Sequence, residues 1–249
     1  DQNDIESDLA FGYGPSEGIV REKDVDGHGT HVAAIAAGDG SSSTYGFVGV
    51  APDASIVVVK TSFYTADILE GVDYILTKAE SLGMPAVVNL SLGGHDGPHD
   101  GTSLFEQALS DFAAGPGRVV VVSAGNEGDE AIHESGTLQS GTRTFEITPD
   151  DWQMELTLWY PGSARFTVSV TAPSGQTATA ASGASSGYVV TPNGVAYVDN
   201  ASDGANASNG DREAYIRLSG VTAGETWSIS VRQVSGSGTF DAWVTSSGS

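Results

Sequence analysis

Val119-Val120-Val121-Val122-Ser123-Ala124-Gly125-Asn126-Glu127-Gly128 is the stretch on which the fold turns. Four consecutive valines, closed by small and turn-forming residues, suit a strand buried on both faces of a parallel sheet, because a half-exposed strand would alternate. Upstream, Ser103–Ala114 carries a helical pattern, Ala86–Leu90 is a second apolar run, and Thr65–Leu82 is a second helical pattern with Ile68, Val72, Ile75 and Ala79 on one face. Thr65, and Thr102 or Ser103, are expected to cap the two N-termini. Ile56–Val59 is expected as a further strand, and a helix starts at His28 and runs through Ala37 to Gly38. Strand and helix alternate, which is the βαβ pattern of an α/β domain, assigned to residues 1–139.

Beyond residue 140 the helical period disappears. Short alternating segments separated by Gly, Pro, Ser and Asn predict strands at Arg143–Thr148, Gln153–Tyr160, Arg165–Ala172, Tyr188–Thr191, Val195–Asn200, Ala214–Leu218, Thr226–Gln233 and Thr239–Thr245. Residues 140–249 are therefore expected to form an all-β sandwich of jelly-roll type. Ser174–Gly187, rich in Ala, Ser, Thr and Gly, reads as a weak strand or a loop, and Trp152, Trp159, Trp227 and Trp243 as core.

The 249 residues carry 32 acidic and 10 basic side chains, a formal charge of -22, and only three of the bases are Lys. Such a surface repels phosphate backbones and anionic lipid, so neither nucleic acid nor membrane is expected as a partner. Apolar residues make up 39%, enough for a core, so the acidity belongs to a folded surface. No Cys is present, which removes disulfides, thiolate metal sites and a cysteine nucleophile. The longest apolar runs are too short to span a bilayer.

The chemistry concentrates in four segments. Asp26-Gly27-His28-Gly29-Thr30-His31-Val32 places a His at a helix entrance, where an imidazole with a pKa near neutrality can serve a cleft. Gly49-Val50-Ala51-Pro52-Asp53-Ala54, Asn89-Leu90-Ser91-Leu92-Gly93-Gly94, and Ser123-Ala124-Gly125-Asn126-Glu127-Gly128 come after it in that order. Together they resemble the subtilisin-like serine proteases, peptidase family S8. The resemblance implies that His28 is the general base and Asn126 the oxyanion donor. It implies further that Ser91, Leu92 and Gly93 bind an extended peptide by strand addition, and that Ala124 and Gly125 line the pocket for the side chain before the cut. The implied substrate is a peptide or protein, the implied location is outside the cell or on its surface, and no cofactor is required. His31 is expected to pack within its helix.

Two parts of the family's triad have no match. No Asp-Thr-Gly or Asp-Ser-Gly follows an apolar strand before His28, since Asp1, Asp4, Asp8, Asp24 and Asp26 lie in polar surroundings, and no Gly-Thr-Ser-Met-Ala follows Asn126. Gly101-Thr102-Ser103-Leu104 imitates the serine motif, but it precedes Asn126 and lacks the small residue and proline that should follow, so Ser103 reads as a helix cap. The chain is expected to be the central part of such an enzyme, catalytically silent alone, with its β half inserted between the asparagine and serine segments. Trp159-Tyr160-Pro161-Gly162 and Arg165–Val170 resemble the insertions of some bacterial members. The competing expectation is a member that binds peptides, proteins or, through the sandwich, carbohydrate without cutting. His95 and His99 read as a solvated loop, with a metal site as the alternative; Asp24 and Asp26 with Gly27 resemble the first turn of a calcium loop, but the rest of an EF-hand, including its terminal Glu, is absent, so structural calcium is only an outlying alternative. Asn200 and Asn206 each begin an Asn-Ala-Ser sequon. The scarcity of Lys under so many carboxylates suits a protein adapted to high salt, where screening relieves self-repulsion. Its unfolding midpoint is therefore expected to rise with NaCl toward molar concentrations, and equal stability in dilute buffer and molar salt would refute that adaptation.

Overall fold

The structure, a computed structural model, describes residues 23–247. Asp1, Asp4 and Asp8 lie outside the described residues. The chain divides into two compact units, one running up to Ser91 and including Ala108–Val122, the other comprising Leu92–Gln107 and Ser123 onward.

In the first unit, β1 (Ala86–Leu90) and β2 (Arg118–Val122) pair in parallel, Ala86 opposite Arg118 through Leu90 opposite Val122. Helix α1 (His28–Ala37) and helix α2 (Thr65–Ser81) precede them, and α3 (Leu104–Ala113) runs across the division between the units. Helix α2 packs on β1. Its buried face is Ile68, Val72 and Leu76, so the stripe centres one residue beyond the expected Ile75. Three expectations are corrected. Ile56–Val59 forms no strand, because no neighbour pairs with it among the described residues, and Ile56 and Val58 stay exposed. Thr65 does not cap α2, whose N-cap is Tyr64 without a side-chain bond. His31 is exposed, since no residue of α1 is buried.

The Gly49-Val50-Ala51 segment has a clear structural purpose. Its three N–H groups donate to Gly38 O at 2.7 Å, Ile35 O at 3.0 Å and Ala36 O at 2.8 Å, satisfying the carbonyls that the end of α1 leaves open. A Cβ at Gly49 would lie 2.5 Å from Gly38 N and 2.7 Å from Ala34 O, so only glycine admits this approach.

The second unit holds two antiparallel sheets. With β3 (His133–Leu138), β4 (Thr142–Ile147), β5 (Gln153–Tyr160), β6 (Arg165–Thr171), β7 (Thr177–Ala181), β8 (Ala184–Thr191), β9 (Gly194–Asn200), β10 (Arg212–Ser219), β11 (Trp227–Ser235) and β12 (Gly238–Ser247), the orders are β3-β12-β5-β10-β9-β8 and β4-β11-β6-β7. One buried cluster joins them: Leu156, Leu158 and Tyr160 of β5 and Ile216 and Leu218 of β10 meet Phe166, Val168, Val170, Trp227, Ile229 and Val231 of the smaller sheet. These positions alternate, as the period-2 pattern requires. Ser174–Gly187 contains β7 and the start of β8, and β3 begins ahead of the composition change at 140. Among the tryptophans, Trp227 is core, Trp159 is buried outside that cluster, Trp243 is half-buried, and Trp152 is exposed, contrary to expectation.

Asn200 is completely buried. Its side chain donates to Phe166 O at 2.9 Å and Ala180 O at 3.0 Å and accepts from Tyr160 Oη at 2.6 Å, which ties both sheets together. Glycan attachment at this sequon is incompatible with that burial. Asn206, in contrast, is exposed, its Oδ1 accepting from Ser208 N. Replacing Asn200→Ala leaves two carbonyls and weakens the phenol's partner set, an expected loss of about 2–4 kcal/mol. Urea unfolding measures it, and a loss below about 0.5 kcal/mol would deny Asn200 this structural role.

Candidate active-site elements

Helix α1 starts with His28 in its first position, exposed, and no hydrogen bond holds its imidazole among the described residues. The helix entrance is built by Asp24. One carboxylate oxygen accepts from Gly27 N at 2.8 Å, and the other accepts from Thr30 N at 2.6 Å and Thr30 Oγ1 at 2.7 Å. Asp24 thereby supplies the cap that Gly27, the N-cap residue, cannot, and its negative charge faces the positive end of the helix dipole. The Thr30 hydroxyl first, then the Thr30 and Gly27 N–H groups, push its carboxyl down to about 2. Both oxygens of Asp24 thus accept hydrogen bonds from the helix entrance. Among the described residues no cluster of three or more His, Cys, Asp or Glu is placed to hold a metal ion.

The second group of residues lies where β1 and β2 end. The ladder stops at Leu90 and Val122. Past it, Ser123 Oγ donates to Leu92 O at 3.0 Å, tying the Leu92-Gly93 segment to the Ser123–Asn126 loop. Ser91 and Leu92 are half-buried and Gly93 is exposed. Asn89 Nδ2 donates to Ser91 Oγ at 2.9 Å.

Gly125 sits at φ 90°, a left-handed conformation, and a Cβ there would come within 2.8 Å of Glu127 Oε2. That turn lets the Glu127 carboxylate accept from Asn126 N at 2.8 Å while lying 3.4 Å from His95 Nε2. The Asn126 N–H, then Glu127's own N–H, hold the Glu127 carboxyl below its ordinary value, and His95 adds to it. Glu127 therefore fixes the backbone of Asn126 and leaves the Asn126 amide side chain exposed, with no hydrogen bond among the described residues. Glu127 and His95 as supports of this loop were not read from the sequence, where Glu127 figured only as a motif letter.

His99 does not converge with His95 on a common point. Its Nδ1 donates to Gly97 O at 2.9 Å, and its ring lies on Trp243 with centroids 4.1 Å apart. His133 covers the Trp243 ring at 3.8 Å and is 3.0 Å from Asp241 Oδ1. Ser103 caps α3: Glu106 N donates to Ser103 Oγ at 3.2 Å while Ser103 N donates to Glu106 Oε2 at 3.1 Å, a reciprocal capping box. Its hydroxyl donates to the same Glu106 oxygen at 2.7 Å, so it faces a carboxylate and no imidazole. Leu92 and Gly93 thus meet Ser123 in the second unit, and His28 belongs to the first.

Comparison with known proteins agrees with the motifs. The sequence profile of the Subtilase family, Peptidase_S8, matches residues 6–239. The chain belongs to this family. It is 35% identical over 147 residues to Subtilisin-like protease 3 of Arthroderma otae, covering 55% of this chain and 33% of the relative. It is 32% identical over 132 residues to the subtilisin of Bacillus sp. strain TA39, covering 51% and 30%. Among solved structures, the Clostridium perfringens CspB protease superposes with a TM-score of 0.76 at 26% identity, covering 88% of this chain and 50% of that one. The chain therefore spans about a third of the length of these curated relatives and half of the solved protease.

The Asp24 cap gives a pH test with a definite sign. Its carboxyl is near 2 when folded and 3.8 ordinarily, so the ionised form stabilises the start of α1 above pH 3.8, and that contribution is lost as pH falls through about 2. Carboxyl-carbon NMR is expected to place the Asp24 midpoint near 2, and Asp24→Asn to speed amide exchange at Gly27 and Thr30. A midpoint at the ordinary value would show that the cap does not form.

Proposed function

We propose that this chain is the central part of a subtilisin-like serine endopeptidase that hydrolyses peptide bonds in peptide or protein substrates. The observation that carries the reading is the Ser123–Glu127 turn in a chain of this family: Ser123 Oγ ties it to Leu92 O, and Glu127 holds the Asn126 N–H while the Asn126 amide side chain makes no hydrogen bond among the described residues. In this reading a substrate peptide adds to the open edge at Ser91, Leu92 and Gly93, and Ala124 and Gly125 line the pocket for the side chain before the cut. Attack on the scissile carbonyl builds charge on its oxygen, and Asn126 donates to that oxygen as it forms. His28 takes the proton from the attacking serine and returns it to the leaving amine. The mechanism requires no cofactor. The serine and the carboxylate that orients His28 belong to segments this sequence does not match, so the chain alone is expected to be silent. In this reading the enzyme acts outside the cell or at its surface.

Two further observations support a central part. Val87 is 69% exposed and Val119, Val121 and Val122 between 46% and 49%, although parallel strands are ordinarily covered on both faces. We read these valines as the surface on which the rest of the enzyme packs. The sheet orders β3-β12-β5-β10 and β4-β11-β6-β7 support a jelly roll, extended by the β8-β9 hairpin and inserted after the asparagine segment. A non-catalytic, peptide-binding member of the family is the second reading.

The test uses the full-length protein and a chromogenic peptide. Asn126→Ala is expected to lower kcat by about 10²–10³ with little change in KM, a magnitude taken over from subtilisin, where it was established. His28→Ala should abolish turnover. The isolated chain should show none, and Ser103→Ala should change nothing in either protein. A full-length protein without turnover would favour the binding reading, and turnover lost with Ser103→Ala would overturn the assignment of Ser103 as a cap.

A further inference from the structure

The outer face of the six-stranded sheet, opposite the shared core, carries a cavity that none of the preceding chemistry uses. It measures about 430 Å³ and is lined by Trp159, Tyr197, Tyr215, Asp199, Asp203 and Glu213 with the adjoining turn. The register of the sheet assembles it: Glu213 pairs opposite Trp159, Tyr215 opposite Asp199, and Arg217 opposite Tyr197. The Tyr197 and Tyr215 rings meet at 61° with centroids 6.3 Å apart.

Its electrostatics are one-sided. Three carboxylates line the wall, and among the described residues no Lys or Arg forms an ion pair with any of them. Desolvation first, then the facing Asp96 and Asp199, raise the Glu213 carboxyl above its ordinary value, and no cation offsets the rise. Asp199 finds only neutral donors, accepting from Ser202 N at 3.0 Å and Ser202 Oγ at 2.7 Å. Trp159 is more than nine-tenths buried, and its Nε1 has no hydrogen-bond partner. The wall thus combines three carboxylates, of which Asp203 and Glu213 accept no side-chain hydrogen bond among the described residues, with three aromatic rings.

We propose that this cavity binds a basic side chain, a lysine ammonium or arginine guanidinium presented by a polypeptide. The cation neutralises carboxylates that otherwise repel one another, and its alkyl stem lies against the rings, which favour a cation over their faces. A neutral sugar could stack on the rings, but it would leave the charge of the site uncompensated, which is why the basic side chain is favoured. The site uses no residue assigned to catalysis or to the substrate-binding edge, so it stands independently of the protease reading.

The control must separate the site from the general attraction of a chain with charge -22. The probe is acetyl-Ala-Arg-Ala-amide, titrated into the full 249-residue chain while the Trp159 indole N–H resonance is followed by NMR, its assignment fixed by Trp159→Phe. Acetyl-Ala-citrulline-Ala-amide, of the same shape without the charge, and cellobiose are the comparators. A saturating shift is expected for the arginine peptide, and binding roughly tenfold weaker for the citrulline peptide. Glu213→Gln is expected to weaken the arginine peptide about fivefold or more, and so is Asp203→Asn, which sits in an exposed turn and tests the site even where Glu213→Gln disturbs folding. Glu146→Gln removes the same charge from an exposed position on β4 and should change nothing. An unmoved Trp159 resonance, equal weakening by Glu146→Gln, or saturation by cellobiose without charge preference would each overturn the proposal.

Discussion

The parallel pairing of Ala86–Leu90 with Arg118–Val122 is the constraint on which the candidate site depends. In-register pairing makes the two strands end together, at Leu90 and Val122, so the chain leaves both at the same level. Beyond the strand ends, short polar contacts take over, Ser123 Oγ to Leu92 O and Glu127 to Asn126 N. A shift of one residue would turn the faces of the strand over and separate Ser123 from Leu92. The Asn126 backbone is thus positioned by the turn and by Glu127, while the asparagine side chain makes no hydrogen bond among the described residues.

The same division of labour appears at His28. Helix α1 is held at its start by Asp24 and at its end by Gly49, Val50 and Ala51, two segments outside it. Neither anchor uses the imidazole. The dispersed His, Gly and Ala residues of these motifs are therefore bound together by hydrogen bonds to helix termini, where partners are otherwise lacking. This gives a structural reason for the Gly-Val-Ala sequence as well as for the His-Gly-Thr sequence.

Much of this was legible in the sequence, and the misses have physical causes. Apolar runs and helical periodicity located α1, α2, α3, β1 and β2 to within a residue or so, and strict alternation located β5, β6, β9, β10 and β11, because in α2 and in these five strands the pattern reflects burial of one face. β3, His-Glu-Ser-Gly-Thr-Leu, lacks that pattern; it exists because β12, more than a hundred residues away, pairs with it. β7, Thr-Ala-Thr-Ala-Ala, hides its alternation behind small side chains. Ile56–Val59 shows the converse error, since apolar β-branched residues alone make no strand without a neighbour to complete the ladder. Asn200 was legible only as a sequon because local sequence carries no sign that Tyr160, Phe166 and Ala180 surround it.

Charge and apolar surface are distributed according to different demands. The second unit encloses an apolar cluster between its sheets and places like carboxylates, Asp96, Asp199 and Glu213, close enough to raise the Glu213 carboxyl. The first unit instead leaves Val87, Val119, Val121 and Val122 in contact with water. At about 25 cal/mol per Å² of apolar area, such exposure forgoes stabilisation that covering segments would supply. Among the described residues, nothing covers these valines and no Lys or Arg pairs with these carboxylates. The valines call for apolar protein surface and the carboxylates for a cation, so the two features point to different binding events.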